Sequence, residues 1–253
     1  MSEPAKERAG GHESVAALLW GPPRVPSRGP RPKLSLDRIV DTAITLADAE
    51  GIDAVSMQRV ASDLGYTKMS LYRYVSRRDE LLALMTDTAY GPAPRIGGPS
   101  RGWRDGLRDW GMAMWPVLGA HPWLLRTAVG ARVMGPNELA WTETALEALS
   151  GTGLGGAERL DAVVLVAGHL RSLAQQVPFP ETGSGNGTEA QIARVMAPLL
   201  AEHGDRYPEA RAAFGAAEGR DSALEFGLRC ILDGLEHRIG RSAPEGAGGQ
   251  APG

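Results

Sequence analysis

From Leu36 onward, apolar residues recur at intervals of three and four, and runs of this kind predict amphipathic helices rather than strands. Leu36, Ile39, Val40, Ala43, Leu46 and Ala47 form the first such stripe, with Ser35 placed to cap its start and Gly51 to end it. Two short helical segments follow, Met57 to Leu64 and Thr67 to Val75, separated at Gly65, where a sharp turn is expected. Ser76 with Asp79 predicts a capping box for a fourth helix carrying Leu81, Leu82, Met85 and Ala89 and ending near Tyr90. After a Pro/Gly-rich stretch at 91–99, helices are predicted from about 100 to 119, from His121 to about Gly130, and from Pro136 to Leu149. Further helices are predicted at 157–177, 188–203 and from Leu224 to Ile239. The helix at 157–177 is apolar almost all round, which predicts burial on several sides. No period-two alternation is strong enough to predict a strand, so the fold class is all-α.

Composition sharpens the organisation. Residues 1–33 carry Pro22, Pro23, Pro26, Pro30 and Pro32 among arginines, which predicts a flexible, extended leader and arm. Residues 34–90 then form one domain and 100–240 a larger helical one, with 241–253 a disordered tail. At 43% hydrophobic and 23% charged, the chain matches ordinary globular proteins, and it holds no apolar run long enough for a membrane span. The apolar run Val15–Trp20 is too short for a secretory signal, so a cytoplasmic location is expected. A single cysteine, Cys230, excludes an internal disulfide and a zinc-thiolate architecture; it is expected to be an inert buried thiol.

Charge is unevenly spread. Between Arg24 and Arg78, ten basic residues face six acidic ones, a net +4 in a chain whose total is -3, which leaves -7 for the remainder. A cationic segment joined to an acidic body suits a polyanionic partner at one end only. The paired short helices around Gly65 explain how that partner is met. Val60, Ala61, Leu64, Leu71 and Val75 can lock them together, leaving Thr67, Lys68, Ser70, Tyr72, Arg73 and Tyr74 on the outward face for base edges and phosphates.

The stretch from Leu34 to Met85, with Val-Ala-Ser-Asp-Leu-Gly (60–65), Ser-Leu-Tyr-Arg-Tyr-Val (70–75) and Arg-Arg-Asp-Glu-Leu-Leu (77–82), resembles the N-terminal domain of TetR-family repressors. The resemblance implies a three-helix helix-turn-helix domain joined to a helical domain for dimerisation and ligand sensing. It adds Gln58 and Met69 to the DNA-facing set and places Arg78 where a basic residue contacts phosphate. Helix order beyond residue 91 is similar to the subgroup containing the tetracycline repressor. The implied partners are double-stranded DNA with a near-palindromic operator, a second copy of the chain and a small effector; ligand identity does not carry over, and the density of tryptophan and methionine between 103 and 141 is what suggests a small apolar or aromatic one.

Within that frame the arm residues Arg28, Arg31 and Lys33 are candidate DNA contacts, with a plain spacer as the alternative. Leu224, Leu228, Ile231, Leu232 and Leu235 form the expected dimer stripe. Trp103, Trp110, Met114, Trp123, Met134 and Trp141 are the candidate lining of an effector pocket, with His121, Arg126, His169 and Gln175 as polar anchors. No catalytic residue, cofactor or metal is expected. Gly151-Thr-Gly-Leu-Gly-Gly156 satisfies G-x-G-x-x-G literally, yet no strand precedes it and no acid occurs at 170–178, so it is expected to be an interhelical loop. The alternatives are a repressor that needs no ligand, a helical enzyme with an incidental DNA-binding-like domain, and a structural or partner-binding helical protein that has lost DNA binding.

Overall fold

The computed structural model describes residues 3–21, 34–96, 102–176, 186–216 and 223–242, and its regular elements there are helices. They are α1 (Glu3–Trp20), α2 (Leu36–Glu50), α3 (Met57–Asp63), α4 (Lys68–Leu71), α5 (Arg78–Tyr90), α6 (Gly102–Ala120), α7 (Leu124–Thr127), α8 (Pro136–Ala148), α9 (Gly156–Ala174), α10 (Asn186–His203), α11 (Pro208–Ala216) and α12 (Ala223–Ser242). They fall into two compact units, one of residues 1–95 and 117–144, the other of 96–116 and 145–253.

In the first unit the local signals act as expected. Ser35 accepts a hydrogen bond from the Arg38 amide and Ser56 one from the Arg59 amide, so both caps satisfy amides that the first turn leaves free. Gly65 turns the chain between α3 and α4 at φ 75°, a region costly for any residue with a Cβ. The buried stripe of α2 (Ile39, Val40, Ala43, Leu46, Ala47) meets Val60 and Ala61 of α3, with Leu71, Val75, Leu81 and Met85 also buried. At about 1.5–3 kcal/mol per large apolar side chain, this small core is the main favourable contribution to the unit.

Two expectations for this unit are corrected. Residues 3–20 form α1 rather than an extended leader, because the prolines that oppose helix cluster from Pro22 onward, whereas Pro4 sits in the first turn, where a missing N–H costs nothing. The arm itself, with Arg28, Arg31 and Lys33, lies outside the described residues, as does the tail from 243. At the head of α5 the cap residue is Arg77, and the Ser76 amide donates to Glu80 Oε2 at 2.7 Å, so Glu80 and not Asp79 completes the cap. By Cα proximity, 117–144 group with the helix-turn-helix region in the first unit. The boundary falls at Pro116 inside α6, where proline removes an i→i−4 hydrogen bond.

In the second unit α9 packs on α12. Val163, Val166, Leu170 and Ala174 of α9 face inward, as do Leu224, Leu228 and Leu232 of α12. Gly111 of α6 permits a close approach to both: a Cβ there would stand 3.3 Å from Leu228 Cδ2 and 3.4 Å from Val166 Cγ1. The loop Gly151–Gly155 is a tight connection with Gly151 and Gly153 at positive φ, and Glu158 Oε2 accepts from the Gly155 amide. Arg238 also holds Glu158, and together these bonds keep its carboxyl below the usual carboxylate range. Helix α11 has no counterpart in the sequence reading; its apolar content, Ala and one Phe, gives no stripe to detect.

Candidate nucleic-acid interface

The outward face of the α3–α4 pair is polar and open. Gln58, Thr67, Lys68, Met69 and Arg73 are exposed, Met69 by 72%, while Ser70 and Tyr72 are half-buried. Lys68 Nζ lies 5.4 Å from the Tyr72 ring centroid, within cation–π range, and Thr67 Oγ1 and Ser70 Oγ are 3.0 Å apart. Helix α4 is a single turn ending at Leu71, and Tyr72 to Val75 continue it as a hydrogen-bonded turn (Tyr74 N to Leu71 O, 2.8 Å). The donors therefore stand on a short, rigid platform fixed from behind by Leu71 and Val75.

Two candidates have structural partners instead. Tyr74 Oη donates to the Leu34 carbonyl at 2.9 Å, tying the recognition turn to the chain just before α2. Arg78 Nε and Nη2 donate to the carbonyls of Val55 and Ile52, both at 2.9 Å, so its guanidinium holds the turn at 52–55. Both side chains stand in the right region, with Tyr74 Oη and two of the three Arg78 guanidinium nitrogens bonded within the protein.

The ten residues expected around an effector divide between the units. Trp103, Trp110, Met114, His169 and Gln175 belong to the second, where Trp110 and Met114 are buried, Trp103 is half-buried, Gln175 is exposed, and His169 lies against Gly227 with Nε2 3.2 Å from the Leu224 carbonyl. His121, Trp123, Arg126, Met134 and Trp141 belong to the first, and four of these five have committed polar groups. Trp123 Nε1 donates to Asp48 Oδ1 at 2.6 Å, and His121 Nδ1 is 2.9 Å from the same oxygen. Arg126 forms a two-pronged pair with Asp53 at 2.6 and 3.0 Å, which holds the Asp53 carboxyl below its ordinary range. Trp141 Nε1 donates to the carbonyls of Tyr90 and Gly91. Met134, partly exposed, accepts a hydrogen bond at its carbonyl from Trp20 Nε1.

Sequence reasoning missed Asp48, Asp53 and Asp87. Asp87 carried a signal, since it interrupts the apolar face of α5 between Leu84 and Tyr90, and a carboxylate there needs a partner. It is buried and accepts from the Glu138 amide at 3.1 Å, capping α8 from a neighbouring helix, while burial pushes its carboxyl up.

The expected dimer stripe lies on α12. Leu224, Leu228 and Leu232 are buried inside the chain, Leu228 to 2% exposure, and Ile231 and Leu235 are half-buried. On α9 and α12 the large apolar side chains left open are Leu160, Val164 (67% exposed) and Leu165 on the first and Phe226 on the second. Cys230, one turn beyond Phe226, is exposed rather than buried. Within one chain α9 is therefore not covered on several sides.

Comparison with known proteins decides the lineage. Residues 39–85 match the family described as bacterial regulatory proteins, tetR family, and residues 97–239 match the tetracyclin repressor-like C-terminal domain. The chain belongs to the TetR family. Over 241 residues this TetR-family chain is 38% identical to the HTH-type transcriptional repressor DrrR1 of Streptomyces coeruleorubidus, covering 90% of this chain and 88% of that one. It is 34% identical to an HTH-type transcriptional regulator of Saccharopolyspora erythraea, with 93% and 98% covered. Among solved structures, the TetR-family protein ActR of Streptomyces coelicolor in complex with actinorhodin aligns with a TM-score of 0.68 at 30% identity, covering 82% of this chain and 99% of that one. The protein is thus a DNA-binding transcriptional repressor of this family and not an enzyme. Among the described residues no helix is long and apolar enough to cross a membrane.

Proposed function

We propose that this repressor binds a near-palindromic operator as a homodimer and leaves it when a small, largely apolar, ring-containing effector binds. The observation that carries the DNA-binding part is the exposed row of polar Gln58, Thr67, Lys68 and Arg73 around Met69 on a glycine-hinged helix pair. Short helices of this kind present their N-terminal residues to base edges in the major groove, and two copies related by a two-fold axis read two half-sites. The dimer is supported by the open apolar residues Leu160, Val164, Leu165 and Phe226, since a face of this sort on a folded chain is stable when a second copy covers it. DNA as partner implies a cytoplasmic location.

Effector release is supported by likeness to ActR, whose structures with actinorhodin and with (S)-DNPA are 30% and 29% identical to this chain. Chain continuity supplies a route for the signal. Helix α6 carries Trp103, Trp110 and Met114 and leads directly into His121 and Trp123, which hold Asp48 of α2. An effector that binds one position of α6 better than another therefore biases the helix carrying the DNA reader. The test is a mobility shift with DNA flanking the protein's own coding region, repeated with actinorhodin and with other apolar ring compounds. A specific complex that such a compound dissolves supports the whole reading. A specific complex that none dissolves leaves a ligand-independent repressor, and no complex refutes the operator assignment.

A further inference from the structure

The first unit contains a cavity of about 600 Å³ between α1, α5 and the segment 126–133, within the range that holds a drug-sized molecule. One wall is α1, which lies outside both family-matched segments, 39–85 and 97–239. Gly11, His12 and Val15 of α1 face Leu82 and Ala83 of α5 and Val129 and Val133 beyond them, so much of the lining is apolar. Ser14 fastens the wall: its Oγ donates to Glu80 Oε1 at 2.8 Å and accepts from Arg77 Nη2 at 2.9 Å. Trp20 fastens the other end through the Met134 carbonyl at 2.9 Å.

The charges around the cavity are unequal. Arg126 is matched by Asp53, Arg132 by Glu138, and Arg77 lies 3.7 Å from Glu80. Asp79 has no partner among the described residues, because Glu80 has taken the capping role at the head of α5. A largely apolar, half-open lining with one uncompensated carboxylate is complementary to a molecule with apolar rings and a single positive charge.

We infer that this cavity is a second small-molecule site, selective for compact amphipathic organic cations, with Asp79 as the counter-charge and α1 as its removable wall. It does not rest on the effector reading above. A cation held there touches α5 immediately after the recognition turn, so its occupancy bears on the same DNA reader.

The test uses the full chain and tetraphenylphosphonium as probe, with triphenylphosphine oxide as the uncharged control, in titration calorimetry. The cation is expected to bind one per chain and the neutral control at least about tenfold more weakly. Asp79→Asn is expected to weaken the cation by about tenfold, Asp79→Glu to keep affinity within about threefold, and Val15→Trp to abolish binding by filling the space. Unchanged operator binding by each ligand-free variant shows that it folds. Absence of cation binding, or binding that Asp79→Asn leaves unchanged, overturns the proposal.

Discussion

Trp123 Nε1 donates to Asp48 Oδ1 at 2.6 Å, and this bond joins the segment after α6 to the first helix of the DNA reader. His121 shares the same acceptor oxygen. Two donors on one carboxylate tie residues 121–123 to α2 through Asp48. Asp48→Ala should lower stability by about 1–2 kcal/mol in urea unfolding. If the latch carries the effector signal, the variant should also respond to an effector with a smaller change in operator affinity; an unchanged response places the signal elsewhere.

The DNA-facing residues should separate into readers and holders. Lys68→Ala and Arg73→Ala are expected to weaken operator binding by about 1–3 kcal/mol with no change in melting temperature. Arg78→Ala and Tyr74→Phe remove donors to the carbonyls at 52, 55 and 34, and are expected to lower stability by about 1 kcal/mol each. Calorimetric melting alongside fluorescence-anisotropy titration distinguishes the two groups.

Substitution on the open and the buried faces of the α9–α12 pair should have opposite consequences. Val164→Glu combined with Phe226→Glu places charge on exposed residues and should give folded monomers by light scattering. Leu228→Glu buries a charge beside Gly111 and Val166 and should give insoluble protein. A folded dimer of the first variant refutes the proposed interface.

Gly135 touches the cap of α8. A Cβ there would stand 2.2 Å from the Asp87 carboxyl, which is buried, so Gly135→Ala should cost about 1–3 kcal/mol. The raised carboxyl of Asp87 has a fixed sign of pH dependence. Its protonated form is favoured in the folded state, so its contribution is full below the ordinary aspartate range and is lost as pH rises through its folded value. Asp87→Asn keeps an acceptor oxygen for the Glu138 amide, and its stability relative to the parent should rise between pH 4 and 8 in parallel denaturant titrations.

The helix-turn-helix was legible because its signals are local. Ser35 and Ser56 cap, Gly51 and Gly65 turn, and the stripe from Ile39 to Ala47 buries, each within a few residues of the structure it dictates. Proline position was equally decisive, although the clustering from Pro22 left Glu3–Trp20 free to be helical, where composition averaged over 1–33 suggested none. The effector residues were less legible, since ring size and sulfur content say what a side chain is and not what it touches.

The sequence by itself determined the all-helical class, the DNA reader and the family, because short-range hydrophobic period, caps and turns act through neighbours along the chain. The tertiary structure decided that Trp123 and Arg126 serve Asp48 and Asp53, that Asp87 caps α8, and that α12 turns Leu228 inward while Phe226 stays open. On a helix that is apolar on more than one side, periodicity leaves the buried side undetermined. Only packing against a partner element, here α9 with Gly111 beneath it, selects the face that is removed from water.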